Sequence, residues 1–407
     1  MVINFAGELS ERDFMLRKTT DKSRGPLRVA VIGGGHAGRG LAAYLSVRGV
    51  DVALFNRTFD HVRAISENGG IHVRGIYSGF AHIPLVTSNM DEALEGRSIV
   101  IVTVPAHTHE YYASILRPYL SPGQTLLVMP GRTGGALELA EVLRQDSILD
   151  DIVLGEAQTF SLVSRATSPD TVHIAKVKSS VRVSAFPATR NSLLLRVMQR
   201  LPLNIELAKN VLYTSFDNIG AILHPTPTIL SAGLLETMTG GYNHYHDAIS
   251  PSVGRLLERL DAERVKIARK YAVEPTPLLS WLQQSYGASG ETLCQCIQSI
   301  DAYDGVGSPS SLDHRYVLED IPTGLVPISW FGKLAGVDSP ITDTVIDMAC
   351  HLYERDFWTE GRDPDRLGLT GLTPSEIQQY VTMGEVTEEH VSYESVFDLF
   401  EMGVEPS

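Results

Sequence analysis

The chain has 407 residues, a formal net charge of −14 and 43% hydrophobic residues. It is too apolar for a disordered protein, and its length allows two or three domains that each bury a core. The acidity is uneven, because residues 351–407 hold 13 acidic and 3 basic side chains. An acidic chain is a poor electrostatic partner for nucleic acid or an anionic membrane, so we expect neither as a partner.

The N-terminus and the cysteines indicate a cytoplasmic protein. Residues 1–26 are polar and mixed in charge, and we predict an extension to which the sequence assigns no role. They lack the pattern of a signal peptide, and no stretch of 18 apolar residues occurs. Cys294, Cys296 and Cys350 cannot form a disulfide framework, so we interpret them as reduced thiols.

From residue 27 the pattern alternates between buried strands and helices. Apolar, β-branched runs of one strand length are typical of a parallel sheet with both faces covered. We predict strands at 27–33, 51–56, 71–75, 98–104, 124–129 and from 152, and helices at 37–47 and 136–144. This order indicates an α/β fold with a doubly wound parallel sheet of the Rossmann type.

After about residue 205 the helical period dominates. Residues 252–271 carry apolar side chains on one face, with Ser250 or Ser252 available as the N-cap. Further helices are predicted around 344–355 and 374–383. We therefore divide the chain into an extension (1–26), a dinucleotide-binding domain (27–195) and a mainly helical domain (196–407). The acidic tail is interpreted as a solvated face of the helical domain.

A glycine-rich motif follows the first predicted strand. Gly33, Gly35 and Gly38 give the pattern G-x-G-x-x-G, with His36 and Ala37 between them, and a predicted helix begins there. In this context the first glycine permits a tight turn, the second lets a pyrophosphate approach, and the third allows the helix to pack on the strand. The sequence therefore predicts a dinucleotide cofactor.

The end of the second strand favours NADP(H) over NAD(H), although NAD(H) stays possible. An acidic residue would normally hold the ribose 2′-hydroxyl here, but the chain has Asn56 and Arg57, and the nearest carboxylate is Asp60. Arg57 can pair with a 2′-phosphate. Two loops after later strands, one at Pro105 and the other at 130–135, should border the nicotinamide. The expected cofactor-binding residues are Gly33, Gly35, His36, Ala37, Gly38, Asn56, Arg57 and Pro105.

The second half of the chain offers a histidine, an arginine and a carboxylate that would suit a dehydrogenase. His224 precedes a Pro-x-Pro turn, and Arg315 and Asp320 lie together further on. The histidine could exchange a proton, the carboxylate could orient it, and the arginine could hold a substrate carboxylate. Spacing alone leaves a purely structural His224 open.

The chain resembles the octopine/nopaline (opine) dehydrogenase family over nearly its whole length after residue 27. The resemblance lies in the glycine loop GGGHAG and in the segments 223–233 (LHPTPTILSAG), 249–264 (ISPSVGRLLERLDAER) and 315–327 (RYVLEDIPTGLVP). It implies that a helical opine dehydrogenase domain follows the dinucleotide-binding domain and that the active site lies between them.

The resemblance also implies residue roles. His224 would be the general acid and base, Asp320 its partner and Arg315 a ligand of a substrate carboxylate, and Asn218 would line the cleft. The implied reaction joins the α-amine of an amino acid to an α-keto acid and reduces the imine with a nicotinamide cofactor. The expected partners are these two small substrates, a homodimer is possible, and no metal is required.

Other interpretations stay open. A hydroxy-acid dehydrogenase on the same plan would rely on a lysine, for which Lys209 is the candidate, and a non-enzymatic nucleotide sensor would bind the cofactor without turnover. Thr159 and Arg165 either contact substrate or pack. The pair His244 and His246 is interpreted as part of a surface loop, because no third metal ligand is evident.

Overall fold

The computed structural model describes residues 27–145 and 147–386. The predicted N-terminal extension and residues 387–407 of the acidic tail lie outside the described residues. Among those that are described, no helix is both long and apolar enough to cross a membrane.

The main sheet has eight strands in the order β12-β11-β8-β7-β6-β1-β2-β5. All neighbouring pairs are parallel except β8 and β11. The strands of both sheets are β1 Arg28–Ile32, β2 Asp51–Phe55, β3 Gly70–Gly75, β4 Gly79–His82, β5 Leu85–Thr87, β6 Ile99–Val102, β7 Thr125–Val128, β8 Val153–Ala157, β9 Leu162–Ser168, β10 Thr171–Val177, β11 Val181–Phe186 and β12 Ile205–Leu207.

The centre of this sheet is fully buried because its strands consist almost entirely of apolar residues. Every residue of β6 and β7 is buried, as are Val29 to Ile32 of β1. Helices cover both faces, so the predicted α/β fold with a doubly wound, mostly parallel sheet is confirmed. The sheet continues to Leu207, past residue 195, and the domain boundary itself stays a prediction.

The helices, numbered in chain order, alternate with strands in the first half and follow one another in the second. They are α1 His36–Val47, α2 Arg63–Asn68, α3 Met90–Leu94, α4 His109–Leu116, α5 Gly135–Arg144, α6 Ile148–Asp151, α7 Asn191–Met198, α8 Val211–Phe216, α9 Gly220–Leu223, α10 Pro225–Leu230, α11 Ala232–Thr237, α12 Pro251–Lys270, α13 Leu278–Tyr286, α14 Leu293–Gln298, α15 Arg315–Leu318, α16 Val326–Leu334, α17 Pro340–Tyr353, α18 Phe357–Glu360 and α19 Pro374–Met383. A π-helical turn, Ile321–Leu325, separates α15 from α16.

A second sheet of four strands, in the order β4-β3-β10-β9, lies against α1. The strand predicted at 71–75 is one of its members. Its contact with the helix is close, since a Cβ at Gly40 of α1 would lie 2.3 Å from the Ser164 hydroxyl of β9. The backbone N–H of Ala166 donates to Nδ1 of His36 at 3.0 Å. This small sheet therefore places β9 beside the glycine-rich motif.

The helical half packs around α12. Pro251 occupies its first turn and the Ser250 side chain accepts from the N–H of Val253, so the predicted N-cap is correct. The described part of the acidic tail also packs: Phe357, Leu367 and Ile377 are buried. Acidic side chains of this part, among them Glu354 and Asp365, are exposed as expected of a solvated face, while its apolar side chains belong to the core.

Candidate active site

The turn between β1 and α1 has the geometry of a pyrophosphate cradle. Gly33 has a φ of 114°, and a Cβ at Gly38 would lie 1.7 Å from the carbonyl oxygen of Gly33, so both positions require glycine. A Cβ at Gly35 would meet nothing within 4 Å, which leaves space beside the helix. The start of α1 has no capping side chain and no acidic residue in its first turn. Its N–H groups are thus available to an anion.

Positive side chains surround this cradle. Burial lowers the pKa of His36, and the charges of Arg165, Arg39 and Arg315 lower it further. Arg39 is held in place, since its Nε donates to the carbonyl oxygen of Gly34 at 2.7 Å. An anionic dinucleotide therefore fits the charge of the site as well as its shape.

At the end of β2, the cation Arg57 is exposed, and the nearest acidic side chain in the sequence is paired with another arginine. Asn56 accepts a hydrogen bond from the N–H of Gly34 at 2.9 Å. The guanidinium of Arg57 is exposed and lies 5.5 Å from the centre of the Tyr111 ring. Asp60 forms an ion pair with Arg63. Arg57 is therefore an exposed cation at the carboxyl end of the strand next to β1.

His224 and Asp320 form a dyad between the two halves. Nδ1 of His224 lies 2.7 Å from Oδ2 of Asp320, so the carboxylate engages one of the two ring nitrogens. The side chain of His224 is 19% exposed, whereas that of Asp320 is completely buried. Burial opposes ionisation of Asp320, but the charges of Arg132 and His224 outweigh it and hold the pKa of the carboxyl below its ordinary value.

A buried ion-pair network fixes this dyad to the loop after β7. Arg132 contacts Oδ1 of Asp320 at 3.2 Å and Oε1 of Glu319 at 3.2 Å. The other oxygen of Glu319 lies 3.0 Å from Nε of Arg315, whose side chain is 56% exposed. Arg132 has a φ of 61°, a strained backbone conformation that surrounding contacts must hold. Arg315 is therefore the exposed end of a chain of alternating charges.

The structure places Asn218 inside the same network. Its Oδ1 lies 3.4 Å from Nη1 of Arg132, and its Nδ2 donates to the Thr133 hydroxyl at 3.2 Å. Both ends of its amide are thus engaged, and its predicted place in the substrate cleft stays a prediction. Pro105 is exposed at the edge of the cleft, next to Ala106, whose N–H donates to Glu319 at 3.3 Å.

Arg362 joins the two halves from the helical side. It pairs with Glu138 at 2.8 Å and donates to the carbonyl oxygens of Gly131 and Thr133 at 3.0 and 2.8 Å. It also lies 2.9 Å from Nδ1 of His109. One buried guanidinium therefore holds the loop that carries Arg132.

An aromatic stack supports the imidazole of the dyad. The ring of Tyr316 lies 4.3 Å from that of His224, with 13° between the planes. On its other side Tyr316 contacts His244, which is completely buried. The interpretation of His244 as part of a surface loop is therefore wrong. Burial lowers its pKa to about 3, and the charges of His224 and His314 add to the effect.

Sequence reasoning missed the residues that hold the site together. Arg132, Glu319, Arg362 and Tyr316 received no role, although Arg132 lies in a loop expected to border the nicotinamide. Their partners are up to 256 positions away along the chain, as for Arg362 and Ala106, and no local pattern marks them. Among the described residues, no three His, Cys, Asp or Glu side chains are grouped so as to hold a metal ion.

Comparison with known proteins identifies the family. The chain is 34% identical over 353 residues to an opine dehydrogenase of Arthrobacter sp. (strain 1C), which covers 86% of this chain and 98% of that protein. This chain belongs to the opine dehydrogenase family. As an opine dehydrogenase, it is an NAD(P)-dependent oxidoreductase that acts on the CH–NH group of its donor.

Two family models match opposite halves of this opine dehydrogenase. Residues 207–353 match the α-helical domain of NAD/NADP octopine/nopaline dehydrogenase, and residues 29–179 match ketopantoate reductase PanE/ApbA. The predicted family and the order of a nucleotide-binding part before a helical part are thus confirmed.

Solved structures share the fold. Octopine dehydrogenase in complex with NADH and L-arginine superposes with a TM-score of 0.74 at 20% identity, covering 90% of this chain and 100% of that one. Yersinopine dehydrogenase with bound NADP⁺ gives a TM-score of 0.66 at 14% identity, covering 88% and 98%. Both forms of the cofactor therefore occur on this fold.

Proposed function

We propose that this opine dehydrogenase condenses the α-amine of an amino acid with an α-keto acid and reduces the imine to a secondary amine dicarboxylate. The observation that carries the proposal is the dyad of His224 and Asp320, with 2.7 Å between Nδ1 and Oδ2. It lies between the halves of the fold, on the same side as the cofactor cradle. Structures of octopine dehydrogenase contain L-arginine or pyruvate, an amino acid and an α-keto acid, and this supports the proposed substrate classes.

His224 is the proton carrier in this proposal. Condensation removes the carbonyl oxygen as water, and Nε2 of His224 donates the proton that this departure requires. Loss of water leaves an iminium ion, and a reduced nicotinamide, when bound, would supply the hydride that converts this ion to the secondary amine. In the reverse direction the same nitrogen accepts the proton.

Asp320 keeps the imidazole in one orientation and stabilises its charged form. Because Asp320 is buried and its pKa is held below its ordinary value, its carboxylate stays ionised while His224 gains and loses a proton. The face of Tyr316 restricts rotation of the ring. Together these contacts direct Nε2 towards the cleft.

Arg315 binds a substrate carboxylate. Its side chain is more than half exposed, and its Nε lies 3.0 Å from Glu319. An exposed guanidinium can make a bidentate contact with a carboxylate, the geometry that this group makes best. Asn218, which contacts Arg132 and Thr133, is the further residue that we propose for the cleft.

NADP(H) is the preferred cofactor in this proposal, with NAD(H) as the alternative. Arg57 is exposed at the end of β2, and the nearest acid, Asp60, is paired with Arg63. The Arg57 guanidinium can therefore meet a 2′-phosphate without competition from that carboxylate.

The decisive experiment is amine-dependent oxidation of NADPH. Amino acids are screened against pyruvate, 2-oxoglutarate and glyoxylate, and the product is identified by mass spectrometry. We expect oxidation only when both substrates are present, with one secondary amine formed for each NADPH. Oxidation by a keto acid alone would favour a hydroxy-acid dehydrogenase, although its candidate Lys209 is exposed over Tyr213. Binding of NADPH without turnover would favour a nucleotide sensor.

Further proposals concern the surroundings of the enzyme. We propose a cytoplasmic location and a homodimer. Gel filtration combined with light scattering distinguishes a monomer from a dimer.

A further inference from the structure

A lysine outside the network of the dyad lies beside the carboxyl end of a strand of the main sheet. Lys178 directly follows β10, and its ammonium donates to the hydroxyl of Thr159 at 2.8 Å. Thr159 itself follows β8, at the carboxyl end of a parallel strand. In open α/β sheets this edge is where ligands bind.

Backbone contacts tie this lysine to the loops of the active site. The N–H of Lys178 donates to Ser161 at 2.9 Å, and the N–H of Gly131 donates to Ala157 at 2.9 Å. The segment that carries Thr159 therefore lies beside the loop that carries Arg132. Its next neighbour is the helical half, because the side chain of Gln158 reaches the carbonyl oxygen of Asp217 at 3.4 Å.

Lys178 differs from the neighbouring cations in lacking a carboxylate. Arg132 pairs with Glu319 and Asp320, and Arg182 pairs with Asp217. Within residues 27–145 and 147–386, no carboxylate forms an ion pair with Lys178.

The environment of Lys178 disfavours its charge. The residue is half-buried, and burial lowers the pKa of its ammonium to about 8, to which the positive charges of Arg132 and Lys176 contribute. A partly desolvated cation of this kind gains most from an anion that arrives with a ligand.

The reaction requires such a second cation. Its product carries two carboxylates, and Arg315 accounts for one of them. We propose that the Lys178 ammonium and the Thr159 hydroxyl bind the second carboxylate of the substrate pair, an inference that rests on the proposed function. Lys178 thereby sets the distance between the carboxylates that the cleft accepts.

A calorimetric titration tests this without turnover. The NADP⁺-saturated enzyme is titrated with 2,2′-iminodipropionate, the product that alanine and pyruvate would give, and with its monoamide. For Lys178→Met we expect dicarboxylate affinity to fall about 10- to 100-fold, as for loss of a charge-assisted hydrogen bond. Lys178→Arg should retain most of the affinity. The monoamide, whose one carboxylate can pair with Arg315, should bind wild type and Lys178→Met alike.

The matched control is Lys176→Met, which removes an exposed lysine two residues away. It should leave both affinities unchanged, and melting curves check that each variant is folded. The inference is overturned if Lys178→Met binds the dicarboxylate as tightly as the wild type does, or if the wild type does not bind it. It is also overturned if Lys178→Met lowers the affinity for the monoamide or for NADP⁺ as much as that for the dicarboxylate.

Kinetics then identify which carboxylate is held. For a pair that the wild type converts, Lys178→Met should raise the KM of one substrate about 10- to 100-fold while kcat changes little. An equal rise for the amino acid and the keto acid, or a fall in kcat alone, would overturn the inference. Absence of turnover in the wild type would instead contradict the proposed function, and the calorimetric result would still decide the role of Lys178.

Discussion

The two sides of the cleft differ in whether their charged groups are exposed or buried in ion pairs. On the cofactor side, α1 begins without a cap or an acidic residue, and Arg57 is exposed with no acid competing for it. On the dyad side, Arg132, Glu319 and Asp320 are buried and mutually paired. The first arrangement is suited to receiving anions, and the second to holding a proton carrier in one geometry.

This difference explains how a chain with a net charge of −14 can bind anionic substrates and an anionic cofactor. The global field repels them, so exposed local cations such as Arg57 and Arg315 must do the binding. The buried and paired cation Arg132 instead holds the dyad in one geometry. A substitution on the dyad side should therefore affect stability or kcat, whereas one on the binding side should affect KM.

The largest expected effect is that of Arg132→Met on stability. Removing this cation leaves Glu319 and Asp320 buried without their shared partner, and breaking a buried ion pair costs about 3–5 kcal/mol. Urea unfolding at pH 7 measures the loss. As a control, Arg28→Met removes an exposed ion pair with Asp51 and should cost less than about 1 kcal/mol. Equal losses of unfolding free energy in the two variants would contradict the larger cost expected for the buried network.

The next effect concerns Glu156, which lies where β8 meets the helical half. Its carboxyl is fully buried, accepts from the N–H of Ala136 at 2.7 Å, and contacts the hydroxyls of Thr214 and Ser215. Burial raises its pKa to about 7, against the hydrogen bonds and Arg362. Because the pKa is raised on folding, the stability contribution is complete below about pH 4.5 and is lost as the pH rises through 7.

Glu156→Gln should remove that loss. Between pH 5 and pH 8.5 the free energy of unfolding of the wild type should fall by about 2–3 kcal/mol relative to the variant. Urea unfolding of both proteins across this range measures the difference. Parallel pH profiles would contradict the raised pKa of Glu156.

On the binding side, Arg315→Gln should weaken one substrate. Loss of a charge-assisted contact with a carboxylate should raise the KM of the amino acid or the keto acid about 10- to 100-fold, with kcat affected less. Steady-state kinetics with each substrate varied in turn measure this. A fall in kcat with unchanged KM values would move Arg315 to the dyad side of the comparison.

The smallest expected effect is that of Arg57→Ala on cofactor choice. The KM of NADPH should rise about 10-fold through loss of the phosphate contact, while that of NADH should change little. Initial rates with the two cofactors give both values. A wild type that prefers NADH, with no response to this substitution, would contradict the proposed preference.

The same contrast decides what could be predicted from the sequence. The cradle of Gly33, Gly35 and Gly38 could be predicted because a turn and the helix that follows it are contiguous, and strand and helix periods marked their neighbours. The charge network could not, because Arg132 meets Glu319 across 187 positions. The burial of His244 was missed for the same reason: it depends on packing against Tyr316 and Tyr245. His224 and Asp320 were found through family resemblance rather than spacing.

The central claim is that the buried, mutually paired groups of the cleft carry proton transfer and that its exposed cations carry binding. Measuring kcat and both substrate KM values of His224→Ala tests it most directly. We predict that kcat falls about 10²- to 10⁴-fold, while the KM values stay within about threefold of the wild type. A variant with nearly wild-type kcat, or one that loses only substrate affinity, would contradict the claim.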